Sequence, residues 1–333
     1  MKHRIAVVGA GIAGVPCARL IADEGHEVTL LEKSRAAGGR MTTRCGDGWQ
    51  CDHGAQFFTA RDPSFSREVQ RWCADGLAAR WTGRLVAFDA AGVAQPVANH
   101  DRFVGAPRMH SVVAAAAASL RLHTLQTVTG LRHVDGGWVL TTRERGEWPD
   151  VFDAVVLAMP AHQAGVLLRD VSPALSVAVD RAAMQPTWAL MLRYTDPPGA
   201  AFDAAFVNGG PLRWIANDSS KPGRNGQSVW VVHASAEWSS RNLERPVAAV
   251  CDQLLDAFNT IVPGEPDACT AHLWRYADVA KSTADESRGF VWRGAERLGL
   301  CGDWLAAGRV EGAWLSGRSL GAAMLRDMER SRW

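Results

Sequence analysis

The sequence predicts a mixed α/β fold, in which a parallel-sheet domain is interrupted by an inserted antiparallel sheet. Three observations support this. Residues 5–32 form an apolar strand, a glycine-rich turn, a helix and a second apolar strand, which is a βαβ unit. Residues 187–234 hold short Trp-rich segments separated by turns, as in an antiparallel sheet. Residues 298–328 form an apolar strand that leads through glycines into a last helix.

Local patterns predict the elements in chain order. Apolar runs of four to eight residues indicate strands, and a 3.6-residue apolar period indicates helices. The turn at 89–92 joins two alternating segments into a hairpin, and the Gly- and Thr-rich stretch 38–61 suggests an ordered loop around a ligand. The predicted strands are 5–8, 28–32, 84–88, 94–97, three or four between 124 and 158, 187–194, 206–207, 212–216, 229–234 and 298–301. The predicted helices are 15–23, 63–75, 108–120, one near 243–261, and 312–328.

Length and charge exclude several classes of protein. A chain of 333 residues suggests about two domains. With 36 basic and 35 acidic side chains, it has no charge surplus for binding nucleic acid or anionic lipid. No apolar run reaches the roughly 18 residues of a membrane span, so we expect a cytoplasmic protein. The seven cysteines show no zinc-ligand spacing, so we expect no metal, and a disulfide between Cys45 and Cys51 is not expected either.

Residues 9–14 match the G-x-G-x-x-G pattern between a strand and a helix, which predicts a Rossmann-like dinucleotide site. Gly9 permits the tight turn, Gly11 lets the backbone approach a pyrophosphate, and Gly14 allows close helix packing. The helix N-terminus offers free N–H groups to the anion. Glu32 ends the next strand, where a carboxylate accepts hydrogen bonds from an adenosine ribose and disfavours a 2′-phosphate.

Three further segments bear on the choice between NAD and FAD. Residues 35–40 place small residues beside an Arg that can neutralise a pyrophosphate. Residues 52–57 offer bare backbone amides beside aromatic side chains. Residues 300–314 combine a strand, an acidic residue and a second glycine-rich helix start.

Together these segments resemble the flavin amine oxidase superfamily, and most of all the bacterial renalases. The resemblance extends over nearly the whole chain, through residues 39–41, 54–61, 186–189, 230–235 with 238–239, 274–277, and 302–304 with 308–317. It implies a Rossmann-like FAD-binding domain of the glutathione-reductase and amine-oxidase type with an inserted antiparallel-sheet substrate domain. The FAD-binding domain would comprise residues 1–75, 104–160 and 297–333, and the substrate domain residues 76–103 and 161–296.

The resemblance implies non-covalent FAD, with no covalent bond through Cys301. Arg40 and the glycine turn would hold the pyrophosphate, Glu32 the ribose, and Asp303 the pyrophosphate or ribityl region. The last helix would aim Gly312 and Ala313 at flavin N1 and O2, where a helix N-terminus stabilises the reduced anion. The full set of implied cofactor-binding residues is Gly9, Gly11, Ile12, Ala13, Gly14, Glu32, Lys33, Gly39, Arg40, Met41, Gly54, Ala55, Gln56, Phe57, Val128, Asp303, Glu311, Gly312 and Ala313.

The renalase resemblance also implies a substrate. The donor would be a 2- or 6-dihydro isomer of NAD(P), which gives hydride to flavin N5, and O2 would then reoxidise the flavin to yield H2O2 and NAD(P)+. A dihydropyridine becomes aromatic on losing hydride, so no general base is required. Eight of the 14 Trp lie between residues 188 and 314, which suits a slot for a planar ring. The pocket candidates are Trp214, Asn217, His233, Trp274 and Tyr276, with core packing as the alternative for each.

Two other functions stay open. An amine oxidase of this superfamily often places a Lys near flavin N5, and the chain has only Lys2, Lys33, Lys221 and Lys281, none in a position that aligns with that role. A silent FAD-binding sensor or scaffold is the third possibility. Residues 317–321 match the G-x-S-x-G of serine hydrolases, but Ser319 lies in a predicted helix and no His follows it, so we regard the match as accidental. We expect a monomer or a homodimer.

Overall fold

The computed structural model describes residues 2–98, 100–280, 289–306 and 308–330. The strands are β1 (Arg4–Val8), β2 (Glu27–Leu31), β3 (Arg44–Gly46), β4 (Trp49–Cys51), β5 (Ala78–Arg80), β6 (Leu85–Phe88), β7 (Ala94–Pro96), β8 (Phe103–Gly105), β9 (Arg121–His123), β10 (Val128–Val134), β11 (Gly137–Thr142), β12 (Gly146–Glu147), β13 (Ala154–Leu157), β14 (Met184–Tyr194), β15 (Ala204–Gly209), β16 (Leu212–Asn217), β17 (Ser228–Ala234), β18 (Ala268–Val279), β19 (Phe290–Arg293) and β20 (Leu298–Cys301). The helices are α1 (Gly14–Asp23), α2 (Pro63–Ala74), α3 (Ser111–Ala117), α4 (Ala161–Leu168), α5 (Pro173–Asp180), α6 (Ala236–Arg241), α7 (Val247–Asn259) and α8 (Arg309–Arg330).

The first sheet has the strand order β19-β20-β13-β1-β2-β9. Its strands run parallel except at β19, which pairs antiparallel with β20. Side chains of β1 alternate between the two faces: Ile5 and Val7 pack with α1 and α8, whereas Ala6 and Val8 pack with α4 and α5. Helices therefore cover both faces, as a parallel sheet requires.

The second sheet has the order β18-β14-β17-β16-β15-β6-β7 and is antiparallel except for the β15–β6 pair. On one face, Leu190 and Val232 pack against α7. On the other face, Met191 and Val231 belong to the hydrophobic core that also holds α1 and α8. This inner face is therefore the one turned toward the first sheet.

The structure confirms the predicted α/β fold and most of the predicted elements, with four corrections. The predicted helix at 108–120 forms only as α3. The one near 243–261 forms only as α7, which begins after Pro246, because proline lacks the N–H that a helix interior needs. The last helix begins three residues earlier than predicted, at Arg309. The long strand β18 was not predicted, since its mixed polar and apolar residues hide the alternation.

The predicted domain boundaries are wrong in two places. Helices α4 and α5, assigned to the substrate domain, pack through Leu168 and Leu175 onto the first sheet. Strand β19, assigned to the same domain, pairs with β20 in the first sheet. The two errors have different causes. The apolar faces of α4 and α5 are buried in part by β1, which lies far away in the sequence, whereas β19 pairs with a strand that begins directly after the predicted boundary.

Several smaller features of the described residues bear on function. Cys45 lies opposite Gln50 in the β3–β4 pair, and all seven cysteines are free thiols. Ser319 lies within α8, as predicted. Among the described helices, none has the length and apolar character needed to cross a bilayer. No group of three or more His, Cys, Asp or Glu side chains in the described ranges could hold a metal ion.

Candidate functional site

The glycine turn between β1 and α1 has the geometry of a dinucleotide-binding turn. Gly9 has a φ of +108°, and a Cβ there would lie 2.3 Å from the carbonyl oxygen of Ala158. A Cβ at Gly14 would lie 1.9 Å from the oxygen of Gly9. A Cβ at Gly11, in contrast, would meet nothing within 4 Å. Packing therefore requires the first and third glycines, whereas Gly11 faces open space before the helix N-terminus. Ile12 and Ala13 complete the turn.

A second glycine pair closes over this turn. Gly38 donates its N–H to the carbonyl of Ala10 at 2.9 Å. A Cβ at Gly39, which has a φ of +54°, would lie 3.4 Å from the Cα of Gly11. Met41 is buried beneath this segment. The structure thus brings the predicted residues 39–41 against the predicted residues 9–14.

Glu32 lies at the end of β2 and is buried, with 6% of its surface exposed. Its two carboxylate oxygens accept hydrogen bonds from the N–H groups of Ala10 and Ser34, each at 2.8 Å. Each oxygen keeps a second lone pair, so the carboxylate can still accept hydrogen bonds from a ribose. Lys33 is exposed, and Val128 is half-buried at the start of β10.

Arg40 and Asp303, which were predicted to contact the cofactor separately, are bound to each other. Arg40 donates from Nη1 at 2.9 Å and from Nη2 at 2.5 Å to the two carboxylate oxygens of Asp303. Nη1 also lies 3.3 and 3.1 Å from the carbonyl oxygens of Tyr276 and Ala277 in β18. Arg40 therefore connects the loop after β2, strand β18 of the second sheet and the segment after β20.

The carbonyl groups of residues 52–54 accept hydrogen bonds from side chains of the chain itself. The side chain of Gln56 donates to the carbonyls of Asp52 and Gly54, and accepts from Trp214 Nε1 and Lys221 Nζ, each at 3.2 Å. Its side chain is therefore fully used within the protein.

The backbone amides of this segment are different. Ala55 donates to the carbonyl of Arg40 at 2.9 Å. The N–H groups of Gly54, Gln56 and Phe57 have no hydrogen-bond partner among the residues that the structure describes. Gln56 is buried, and buried N–H groups are nearly always paired. The unpaired amides therefore point to a ligand on this side.

The start of α8 is tightly built. A Cβ at Gly312 would lie 2.2 Å from the carbonyl oxygen of Ala306, and Ala313 is buried. N–H groups in the first turn of a helix have no partner within the helix, and they carry its positive dipole end. The Oε1 atom of Glu311 accepts hydrogen bonds from the N–H groups of Arg61 and Asp62 at 2.6 and 2.7 Å, which ties the loop before α2 to the start of α8. The assignment of Glu311 to the cofactor-binding residues stays a prediction.

The inner face of the second sheet carries most of the predicted pocket residues. Trp214 pairs with His233, and Ala189 pairs with both His233 and His272. Because paired residues project to the same face, one row of side chains crosses four strands. Trp274 follows two residues after His272 and lies on the same face.

Two predicted pocket residues differ from the rest. Asn217 is three positions from Trp214 and pairs with Trp230, a core residue on the α7 side. Its side chain therefore lies on the opposite face, and the prediction that it lines the same pocket is wrong. The ring of Tyr276 stacks on His162 of α4, with centroids 5.3 Å apart.

His53 connects the inner face to the segment 52–57. Its carbonyl accepts hydrogen bonds from His233 Nε2 at 3.1 Å and from Trp274 Nε1 at 3.0 Å. Burial, helped by the neighbouring His272 and Arg44, lowers the pKa of His53 to about 4. Burial lowers the pKa of His233 to about 3. Both rings are therefore neutral near pH 7, and Nδ1 of His53 is buried without a partner among the described residues.

Sequence reasoning missed a buried cluster of four charges. Lys221 donates to Asp218 at 2.6 Å and to Asp52 at 3.4 Å, and Arg224 donates to Asp52 through both Nε and Nη2. All four side chains are at most 1% exposed. Burial would raise the pKa of Asp52, but the charges of Lys221 and Arg224 outweigh it and hold that pKa below its ordinary value. The scarcity of lysine was the one signal available in the sequence.

Cys301 is the last residue of β20, and its side chain belongs to the hydrophobic core. It is fully buried in the core, and its thiol is hydrogen-bonded to Cys17 of α1. This hydrogen bond, together with burial, raises the pKa of Cys301 well above its ordinary value. A thiol in this state is a poor nucleophile.

Comparisons with known proteins agree with this geometry. A family model described as NAD(P)-binding Rossmann-like domain matches residues 7–75, and one described as Flavin containing amine oxidoreductase matches residues 95–325. Hydroxyneurosporene desaturase of Rubrivivax gelatinosus is 48% identical over 59 residues, 18% of this chain and 11% of that protein. The 4,4′-diapophytoene desaturase of Staphylococcus aureus strain Newman is 49% identical over 51 residues, 15% of this chain and 10% of that protein. The matches thus span about a tenth of these curated relatives.

Solved structures share the fold over the whole chain. Cyclohexylamine oxidase from Brevibacterium oxydans IH-35A superposes with a TM-score of 0.78 at 13% identity, covering 99% of this chain and 100% of that one. Wild-type putrescine oxidase bound to putrescine superposes with a TM-score of 0.74 at 12% identity, covering 98% and 99% of the two chains. At these identities the similarity establishes the fold alone.

Proposed function

The chain belongs to the family of flavin-containing amine oxidoreductases and has FAD as its cofactor, and from this premise we propose that it is an FAD-dependent oxidase of the renalase type. Its substrate would be a 2- or 6-dihydro isomer of NAD(P), oxidised to NAD(P)+ with O2 as the electron acceptor and H2O2 as the second product. Bound FAD supplies the hydride acceptor, and it passes the electrons to O2.

The residues present fit FAD. The space beside Gly11 admits a pyrophosphate, and the buried carboxylate of Glu32 has lone pairs left for ribose hydroxyls. The unpaired amides of Gly54, Gln56 and Phe57 would meet the far end of the cofactor. The buried, hydrogen-bonded thiol of Cys301 supports non-covalent binding.

The observation that carries the proposal is the weakness of the bases on the inner face. His53 and His233 have pKa values of about 4 and 3, because burial disfavours their charged forms. The three protons of Lys221 are donated to Asp52, Asp218 and Gln56. Burial also lowers the pKa of His272 on the same face, so each of these three histidines is a weak base near pH 7. A dihydronicotinamide loses hydride without needing a general base.

The aromatic residues of the inner face would bind the planar ring of the substrate. Trp274 is half-buried, so part of its surface is free for stacking. Trp214 is 4% exposed, and its N–H is used by Gln56, which supports a packing role instead. Trp274 and Tyr276 are therefore the stronger candidates for substrate contact.

Amine oxidation is the second candidate, favoured by the burial of Lys221 in the middle of the molecule. Against it, an amine is protonated near pH 7 and must lose a proton before it can give up hydride. Lys281, the other lysine of the predicted substrate domain, lies outside the described residues. A cytoplasmic location and a monomeric or homodimeric state stay predictions from the sequence.

One experiment distinguishes these functions. Purified FAD-loaded protein is mixed anaerobically with 6-dihydro-NAD, with 2-dihydro-NAD, with ordinary NADH as the matched isomer control, and with a panel of small amines. We expect rapid bleaching of the visible flavin band by a dihydro isomer other than NADH, and one H2O2 per substrate when air is admitted. Bleaching by an amine alone would overturn the proposal in favour of an amine oxidase, and no bleaching at all would favour a silent FAD-binding protein.

A further inference from the structure

The carbonyl group of His53 receives two ring N–H donors. His233 Nε2 approaches from β17 at 3.1 Å, and Trp274 Nε1 approaches from β18 at 3.0 Å, both ordinary N–H···O distances. The two donors come from strands on either side of β14, on the same inner face. A carbonyl oxygen has two lone pairs, so these donors saturate it and fix the plane of the peptide between His53 and Gly54.

The other side of this peptide carries a donor without a partner. In a trans peptide, the N–H points away from the C=O. The N–H of Gly54 is therefore directed away from the inner face of the second sheet. It makes no hydrogen bond within the described part of the chain. A Cβ on Gly54 would lie 2.0 Å from the oxygen of Arg40 and 3.5 Å from the ring of Trp274. The residue is thus wedged in place with its N–H free.

We propose that His233 and Trp274 are positioning residues that set the electron affinity of bound FAD through the His53–Gly54 peptide. Hydrogen bonds to the carbonyl polarise the peptide, and a polarised amide is a stronger donor at its N–H. A preorganised donor stabilises the negative charge that the cofactor gains on reduction. The inference rests on the proposed contact between residues 54–57 and FAD, but it is independent of the substrate.

The structure offers matched variants. Trp274→Phe keeps a ring but loses the N–H, and His233→Leu removes the other donor. His233→Gln retains an N–H at the end of a side chain of similar reach. His272→Leu removes a ring that packs against Trp274, with centroids 4.6 Å apart, yet donates nothing to the His53 carbonyl.

The measurement is the midpoint potential of FAD in each purified holoprotein, by anaerobic reduction against reference dyes with no substrate present. We expect Trp274→Phe and His233→Leu each to disfavour two-electron reduction about threefold, and the double variant about tenfold, which corresponds to about 30 mV in the negative direction. His233→Gln and His272→Leu should stay near the wild-type potential.

An unchanged potential in Trp274→Phe would overturn the inference, as would an equal shift in His272→Leu, which would indicate a general packing effect. If His233→Leu fails to fold with FAD, Trp274→Phe decides alone. If the potentials move as expected while no dihydronicotinamide bleaches the flavin, the proposed substrate is wrong and the positioning role stands.

Discussion

Arg40 and Asp303, 263 positions apart in the chain, form a bidentate ion pair with N···O distances of 2.9 and 2.5 Å. Their side chains are 28% and 10% exposed. The pair joins the loop after β2 to the segment after β20. An early and a late part of the sequence, each following a strand of the first sheet, therefore meet at the site. Asp303 neutralises the charge of Arg40, but within the described part of the chain its Nε–H and one Nη2 proton have no partner, so both can donate to a phosphate.

Removing Arg40 tests whether it binds the pyrophosphate. We expect Arg40→Ala to weaken FAD binding about 30-fold, equivalent to about 2 kcal/mol for hydrogen bonds to a charged group. We expect Asp303→Asn to retain FAD, because the uncompensated guanidinium attracts phosphate more strongly. The measurement is FAD affinity by titration of the apoprotein, with Arg84→Ala, whose ion pair with Asp203 lies at the surface, as the control.

Two results would contradict this assignment. Arg40→Ala protein that purifies with a full complement of FAD would exclude the phosphate contact. Equal loss of FAD in Arg40→Ala and Asp303→Asn would show that the ion pair acts only as a structural clamp.

Gly11→Ala separates cofactor binding from folding. A Cβ at this position meets no protein atom within 4 Å, so the melting temperature of the apoprotein should stay unchanged. The added methyl would occupy the space proposed for the pyrophosphate, so we expect FAD affinity to fall about tenfold or more. Gly199→Ala is the matched control, since a Cβ there also meets nothing. Full FAD affinity in Gly11→Ala would place the pyrophosphate elsewhere.

The local part of the fold was predictable because it depends on neighbours in sequence. The β1–α1–β2 unit follows from an apolar run, three glycines at fixed spacing and a 3.6-residue period, and the structure has it within one residue. The β6–β7 hairpin follows from its turn. Strand β18 was missed because both its faces are only half-buried, so its polar and apolar residues do not alternate clearly.

The tertiary part of the site left no comparable signal. Lys221 meets Asp52 across 169 positions, and His233 meets the His53 carbonyl across 180. Nothing in either local sequence specifies the partner, because each contact is created by tertiary packing of the segment 52–57 against β17 and the residues that follow β16. Asn217 shows the converse: it was predicted to line the same pocket as Trp214, but strand alternation puts the two side chains on opposite faces.

Lys221→Met tests whether the buried lysine is structural. The substitution leaves Asp52 and Asp218 with Arg224 as the remaining cation, so we expect a loss of about 3–5 kcal/mol in the free energy of unfolding. Denaturant unfolding measures it. Lys2→Met should change stability by less than about 1 kcal/mol, because its ion pair with Glu27 is exposed. A Lys221→Met protein with wild-type stability and lost activity would favour the amine oxidase alternative.

His233 predicts a specific loss of stability in acid. Burial lowers its pKa in the folded protein to about 3, whereas an unfolded chain has a histidine pKa near 6.5. As the pH falls below the unfolded value, the unfolded state takes up a proton that the folded state does not, so stability decreases toward the folded pKa. At 1.36 kcal/mol per pH unit, this one residue costs about 2 kcal/mol between roughly pH 7.5 and 5. His233→Gln should lose that part of the pH dependence in denaturant unfolding, and His100→Gln, at an exposed position, should keep it. Identical pH profiles for His233→Gln and the wild type would show that folding does not lower the pKa of His233. The ring would then be protonated in acid in the folded protein as well, and the donor to the His53 carbonyl would be a cation.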